Sequence, residues 1–206
     1  MRWILVWACC ALVAATTAAG AIVATPSETV ARVILTPAQV APDVALQPFP
    51  GGKKVAGEVT LDLCGYAFRT EALRLARLQV MYARAGTPII SNEVVAYKPG
   101  GAASAMRELR AAIAHCPAGF ARSTVPGMGQ LKNSIEHMRA PGLLPGSIAI
   151  LDRIIERVNG KTRRFDTIFV FQARRNVLSA VYGWGLAQMT LARHAAAESA
   201  RNLKSL

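Results

Sequence analysis

The side chains best suited to chemistry in this chain are its three histidines and four cysteines. His115, His137 and His194 include no pair at the spacing by which a helix or hairpin holds a metal ion, so the sequence predicts no metal site. His115 directly precedes Cys116, but neighbours on a helix point about 100° apart and do not face each other. A cysteine–histidine pair for nucleophilic catalysis is therefore not expected.

Motifs for serine hydrolysis and for phosphate binding are incomplete. The chain has no Gly-x-Ser-x-Gly elbow, and Gly146-Ser147 opens a predicted strand where a hydrolase needs a strand-to-helix turn. The segment 98–101 precedes a predicted helix but lacks the Lys-Ser/Thr pair that contacts phosphate and metal. We therefore expect no catalytic residue and no cofactor. The alternative is a hydrolase whose acid and base are assembled only by the fold, from groups such as Asp62, Glu71, Glu93 and His137.

The N-terminus predicts export. Met1-Arg2 is followed by an uncharged run of apolar and small residues from Trp3 to Ala24, with Ala19-Gly20-Ala21 near its end. A basic start, an apolar middle and small residues at the end are typical of a secretory signal peptide over residues 1–24. The run is also long enough to span a bilayer, so an uncleaved signal anchor is the alternative. Either leader leaves the remainder secreted or at the outer face of the cytoplasmic membrane.

The cysteines outside this leader predict a disulfide. Cys9 and Cys10 lie within the leader, too soon after Arg2 for a lipid-attachment site, which leaves Cys64 and Cys116 in a chain that faces an oxidising compartment. A bond between them would close a loop of about 50 residues and stabilise the fold by about 4 kcal/mol in the chain-entropy description. Two unpaired buried thiols are the alternative.

The formal net charge of +12 favours anionic partners such as acidic lipid headgroups, wall polymers or nucleic acid. Arginine outnumbers lysine and alanine is frequent, as a GC-rich genome encodes, so compositional bias is an alternative source of the charge. The pairs Arg163-Arg164 and Arg174-Arg175 fall at opposite ends of a predicted strand, roughly 30 Å apart. Nucleic acid is therefore not an expected partner, whereas anionic lipid or wall polymer stays open.

The first half of the chain predicts an arm followed by a hairpin and a helix. Thr25–Lys54 reads as an extended arm with one helix start, because Thr36-Pro37-Ala38-Gln39 is a capping box with proline at the first helical position. Period-two alternation predicts a β-hairpin from Arg77–Tyr82 and Ile89–Tyr97. Apolar spacings of four, three, one and three predict a helix over Ala102–His115.

The second half predicts a three-stranded meander and a closing helix. Asn159-Gly160 between apolar runs is a strong hairpin signal, since both residue types tolerate positive φ. It favours strands over Ile148–Val158 and Lys161–Gln172, followed by Val177–Gly183 after a second turn. An Ala-rich amphipathic pattern predicts a helix over Trp184–Lys204.

Residues 117–146 are rich in proline and glycine and predict only a short helix at 129–138.

The order β-β-α-β-β-β-α predicts an α+β domain, with an antiparallel sheet of about five strands and two main helices packed mainly on one face. We divide the chain into the leader over 1–24, the arm over 25–57 and the domain over 58–206.

Aromatic residues collect around the meander: Phe165, Phe169, Phe171, Tyr182 and Trp184. They either pack in the core or form a binding platform.

Several short motifs resemble a known family. They are Leu61-Asp62-Leu63-Cys64-Gly65, Glu71-Ala72-Leu73-Arg74 with Arg77 and Gln79, Asn92-Glu93-Val94-Val95 with Tyr97, Pro99-Gly100-Gly101-Ala102, Glu108-Leu109-Arg110 and Cys116-Pro117. The later run Val177-Leu178-Ser179-Ala180-Val181-Tyr182 fits as well. With these motifs the chain, from about Val59 to Tyr182, resembles the extracellular sensor-type domain at the C-terminus of some actinobacterial receptor serine/threonine kinases. That domain also occurs without a kinase in secreted or lipid-anchored proteins.

The resemblance implies an α+β sandwich with internal disulfide bonding and a groove for an unidentified extracellular ligand, with no enzymatic activity. This chain departs from the kinase form in having no kinase region and one cysteine pair where that form carries two. We therefore expect an exported, non-catalytic module of the bacterial cell envelope that binds an extracellular ligand or an envelope protein.

Overall fold

The computed structural model describes residues 24–206, so the predicted leader lies outside the described residues apart from Ala24. The helices are α1 (Pro26–Val33), α2 (Pro37–Val40), α3 (Gly101–Ala114) and α4 (Met189–Lys204), with 3₁₀ turns at Arg69–Leu73 and Leu186–Gln188. The strands are β1 (Ala45–Pro48), β2 (Arg74–Arg84), β3 (Thr87–Tyr97), β4 (Ala121–Arg122), β5 (Gln130–His137), β6 (Ile148–Val158), β7 (Lys161–Arg174) and β8 (Val177–Trp184). Across residues 24–206, no helix has the length and apolar character needed to cross a bilayer.

All eight strands of this range form one antiparallel sheet in the order β1-β2-β3-β8-β7-β6-β5-β4. The strands make two meanders, β1 to β3 and β4 to β8, and α3 carries the chain from the first to the far edge of the second. The tight turn predicted at Asn159-Gly160 is present, with φ of 47° and 73°. Positive φ at both positions is what a two-residue hairpin with native twist requires.

Helices cover both faces of the sheet. Because side chains alternate along a strand, Val95 of β3 packs under α3 while its neighbour Val94 packs on the opposite side with α1 and α4. We call the side with α3 the front face and the side with α1, α2 and α4 the back face. The predicted packing of helices mainly on one face is therefore wrong.

The segment predicted as an extended arm contains α1, α2 and β1. Thr25 and Glu28 form a capping box at α1, which buries Val30 and Val33 against the back face. The predicted start of α2 is correct, and Gln39 Oε1 accepts a hydrogen bond of 3.0 Å from the Thr36 backbone. Both helices thus bury apolar residues within a segment that was predicted to be extended.

The expected number of about five strands is also wrong, because residues 24–206 contain eight. The strands β1 and β4 are only four and two residues long, too short to show a period. Residues 130–137 form β5 where a short helix was predicted over 129–138, and the spacing of four between Leu131 and Ile135 suits a helix as well as one face of a strand. Pairing with β6 decides between the two.

The predicted disulfide between Cys64 and Cys116 is present, with the two Cα atoms 5.0 Å apart. Cys116 lies two residues beyond α3, and Cys64 lies in the loop before β2, in the left-handed region at φ 59°. A Cβ on the next residue, Gly65, would lie 2.7 Å from the Ala121 side chain. The bond therefore ties the end of α3 to a loop that is closely packed against β4.

Candidate functional site

A groove of about 290 Å³ opens on the front face beside α3. The helix covers the front face near Val95 and Ile150, and further along the same strands two loops replace it. The first wall contributes Phe49, Glu58, Val59, Thr60 and Asp62, and the second contributes Val125, Pro126 and Met128. The volume lies at the lower end of the range for small-molecule sites.

Front-facing side chains of six adjacent strands form the floor, because residues two apart on a strand share a face. The polar members of the floor are Arg77, Gln79, Glu93, Asn133, Asp152, Thr167 and Tyr182, and the apolar and aromatic members are Leu131, Ile154, Phe165, Phe169 and Trp184. Polar residues at inward positions thus interrupt strands whose other inward residues build the core.

A buried ion pair lies at the β2–β3 side of the floor. The Arg77 guanidinium contacts the Glu93 carboxylate, and the two side chains are each 2% exposed. Glu93 also accepts hydrogen bonds from Thr60 Oγ1 at 2.8 Å and from Tyr182 OH at 2.9 Å. Arg77 reaches the Gly51 carbonyl at 3.0 Å and the Gln79 side chain. This network joins the floor to the first wall.

Burial shifts the pKa values in this network. It raises the pKa of Glu93, and the Arg77 charge opposes that shift most strongly among the neighbouring groups. It also raises the pKa of Tyr182, and the Glu93 charge adds to that shift. Tyr182 is therefore a hydrogen-bond donor across the physiological pH range.

A second network holds the first wall from outside the groove. Arg74 donates to the Val55 and Glu58 carbonyls at 2.9 and 2.7 Å and to Thr60 Oγ1 at 2.9 Å. Glu71 accepts from the Thr60 backbone N–H at 3.0 Å and pairs with Arg74 at 3.2 Å. The two oxygens of Glu71 thus hold the first wall through the backbone N–H groups of Thr60 and Leu61.

Asp62 joins the two walls. Its carboxylate accepts from Ser123 Oγ at 2.5 Å and from the Thr124 backbone N–H at 3.0 Å. Because Cys64 follows two residues later, the disulfide fixes the same segment to α3. The groove is therefore a pre-formed site bounded by hydrogen bonds and one covalent link.

Asp152 lies on β6, toward the β5 side of the floor, and pairs with no cation in the part of the chain that the structure describes. The residue is 0% exposed, and its carboxylate accepts from Asn133 Nδ2 at 2.6 Å and from the Ser134 backbone N–H at 3.1 Å. Within residues 24–206 it forms no ion pair. Burial raises its pKa, and the two neutral donors oppose that shift only in part.

Aromatic rings surround these polar groups. Phe169 and Tyr182 meet edge to face with ring centroids 5.6 Å apart, and Trp184, 36% exposed, lies at the rim. Of the aromatic residues expected around the meander, Phe171 belongs to the core under α3, whereas Phe165, Phe169, Tyr182 and Trp184 line the groove.

The overall fold has a counterpart among solved structures. The chain shares its fold with the extracellular domain of PknH from Mycobacterium tuberculosis. The TM-score is 0.57, and the alignment covers 88% of this chain and 98% of that one at 13% sequence identity. At that identity the likeness is one of fold, and it agrees with the sequence resemblance to sensor-type extracellular domains. No family model matches the chain, and no curated protein matches it in sequence.

The groups considered for a hydrolase are only partly brought together. Asp62 and Glu93 line the groove, but hydrogen bonds that build it occupy both carboxylates. Glu71 lies behind the wall, and His137 is exposed near Arg110, away from the groove. In the part of the chain that the structure describes, no three metal-ligating side chains cluster.

The sequence motifs did not single out Asp152 or Asn133. A signal for Asp152 exists, because it is in phase with Ile148, Ile150 and Ile154, which face the same side of β6. A carboxylate at a core-facing position of an apolar strand conflicts with the strand's pattern, and such conflicts are expected at functional sites.

Proposed function

We propose that the chain is an exported, non-catalytic binding module of the bacterial cell envelope and that the front-face groove takes its ligand. The carrying observation is the groove itself: a pre-formed concavity that combines aromatic surface with converging polar groups. The fold similarity to an extracellular domain and the Cys64–Cys116 bond support an oxidising location outside the cytoplasm.

The non-catalytic part of the proposal rests on how the polar groups are used. Glu93 and Asp62 each accept three contacts from protein donors that build the floor and walls, so we assign both carboxylates a structural role. Purified protein should turn over no member of a panel of ester, glycoside and peptide substrates. Turnover that is lost on mutation of one polar groove residue would overturn this part.

The location is proposed from the sequence. Residues 1–24 act as a signal peptide or anchor, residues 25–57 form the N-terminal segment folded as α1, α2 and β1, and residues 58–206 form the sensor-like domain. Intact mass of protein from the envelope and medium tests the leader. A mass starting near Ile22 or Thr25 is expected after cleavage, whereas full-length protein confined to the cytoplasm would contradict export.

Filling the groove tests the binding site. Thr167 is 4% exposed and lies on the floor, so Thr167→Trp would occupy the cavity, while Thr162→Trp makes the same change at an exposed position of β7. Indole, phenol and benzyl alcohol, followed by amide NMR shifts, serve as neutral probes. Shifts should cluster on the groove strands, disappear in T167W and persist in T162W. Shifts scattered elsewhere, or unchanged in T167W, would remove the groove as the site.

A second candidate function is electrostatic adhesion to anionic lipid or wall polymer. The hairpin of β6 and β7 supports it, because its outer part exposes Arg153, Arg157, Lys161, Arg163 and Arg164. Arg174 lies at the other end of β7, so the two basic pairs are separated as expected. Retention on anionic vesicles should weaken from about 50 to 200 mM salt and fall in a variant with these five residues neutralised. Salt-independent retention would exclude this candidate.

A further inference from the structure

We infer that the groove recognises a primary ammonium group carried on a small apolar or aromatic body. This inference rests on the proposed function and names the class of ligand. Its basis is the pocket around Asp152, where a buried carboxylate, two further acceptors and aromatic rings come together without a protein cation.

Charge at the groove has the opposite sign to charge on the chain. The lining contains four carboxylates, of Glu58, Asp62, Glu93 and Asp152, against one guanidinium, of Arg77. Arg77 is already engaged with Glu93, so no unpaired cation among residues 24–206 lines the groove. A chain with net charge +12 therefore presents a cation-attracting concavity.

Asp152 supplies the strongest acceptor. A buried carboxylate without a counter-charge is unfavourable unless a cation or additional donors satisfy its remaining lone pairs. Asn133 Nδ2 and the Ser134 N–H use one position on each oxygen, and the side chain lines the groove. A ligand cation can therefore supply the missing charge from the groove side.

Two neutral acceptors flank Asp152 on the neighbouring strands. Asn133 spends its N–H on Asp152, so its Oδ1 remains to accept. Thr167 lies directly opposite Asp152 in the β6–β7 register, and its hydroxyl has no side-chain hydrogen bond within the described residues. Directly paired residues have Cβ atoms about 4.5–5.5 Å apart. Three acceptors on three adjacent strands match the three N–H donors of a primary ammonium.

The remaining lining selects the body of the ligand. Phe165, Phe169, Ile154 and Leu131 provide apolar surface next to the acceptors, and Tyr182 and Trp184 add rings toward the rim. Ring faces attract cations and bury apolar groups. The volume of about 290 Å³ restricts the occupant to a small molecule or the end of a longer one.

Phenethylammonium tests the inference, with 2-phenylethanol as its neutral counterpart and phenethyltrimethylammonium as the cation without N–H donors. Titration calorimetry on the purified protein, disulfide intact, should give affinity for phenethylammonium about tenfold or more above that for either counterpart. The Asp152→Asn variant should lose this preference while its affinity for 2-phenylethanol stays within about twofold. Asp166→Asn, the same change on β7 outside the groove lining, should behave as the unmodified protein.

Thr167→Val removes one neutral acceptor with little change in shape, so it provides a second variant if D152N does not fold. It should weaken phenethylammonium binding several-fold and leave 2-phenylethanol unaffected. Equal affinity for amine and alcohol, with both lost in T167W, would overturn the ammonium inference and leave the groove as a binding site. If neither these compounds nor the neutral probes shift groove amides, the inference and the proposed function both fall.

Discussion

Replacing Glu93 by glutamine is the sharpest test of the network that builds the groove. The substitution leaves the Arg77 guanidinium, 2% exposed, without its counter-charge and preserves an acceptor oxygen for only one of the Thr60 and Tyr182 hydroxyls, which donate to different oxygens of the carboxylate. Removing one partner of a buried ion pair typically costs about 3–5 kcal/mol. A domain of this size loses about 2–4 °C of Tm per kcal/mol, so E93Q should lower Tm by roughly 6–20 °C.

Urea unfolding at pH 7 measures the effect, and two variants control it. The Arg77→Met/Glu93→Gln double variant removes both charges and should be more stable than E93Q alone, because no buried charge is then unpaired. Asp43→Asn breaks an exposed ion pair in which the Arg84 side chain is 46% exposed and the Asp43 side chain 57% exposed, and it should leave the urea midpoint essentially unchanged. A loss of unfolding free energy in E93Q no larger than in D43N, or a double variant less stable than E93Q, would show that the Arg77–Glu93 ion pair does not hold the groove network together.

Two further perturbations test the wall and the floor. Replacing Cys64 and Cys116 together by serine removes a link that spans 52 positions and should lower the free energy of unfolding by about 4 kcal/mol. Urea denaturation measures this loss. A loss under about 1 kcal/mol would mean that the loop is held mainly by its hydrogen bonds. Asp152→Asn should stabilise the unliganded protein at pH 7, because the raised pKa of Asp152 in the folded state makes its charged form unfavourable there. The gain should shrink on acidification, as Asp152 becomes protonated in the folded state, and vanish below about pH 3.8, where it is protonated in both states. A gain that grows on acidification would show that the folded state stabilises the Asp152 charge.

The sequence was sufficient for elements whose period or turn chemistry is strong. The hairpin around Asn159-Gly160 and the helix α3 follow from local residue types, and the structure agrees with both. The Thr36 capping box also located α2 correctly. Local physics determined these three features, whereas the disulfide followed from the count of cysteines outside the leader and the expected compartment.

The missed elements depend on tertiary pairing. Gln130–His137 becomes a strand because the β6 edge is available, although its two apolar residues fit a helix equally well. The helix α1 has the same kind of capping box as α2, at Thr25 and Glu28, but the segment was predicted as an extended arm with one helix start. The helices α3 and α4 were both predicted, but they pack on opposite faces of the sheet, which the pattern of neither helix indicates by itself.

Net charge gave an incomplete account of the ligand. A charge of +12 favours anions, and the exposed arginines of the β6–β7 hairpin are consistent with that preference at the surface. The concavity where a small molecule would be desolvated has the reverse composition, with four carboxylates and one engaged arginine. Interactions strengthen where water is excluded, so the groove and not the average surface determines small-molecule selectivity. Salt should therefore weaken any attachment through the hairpin far more than recognition of an ammonium group at Asp152.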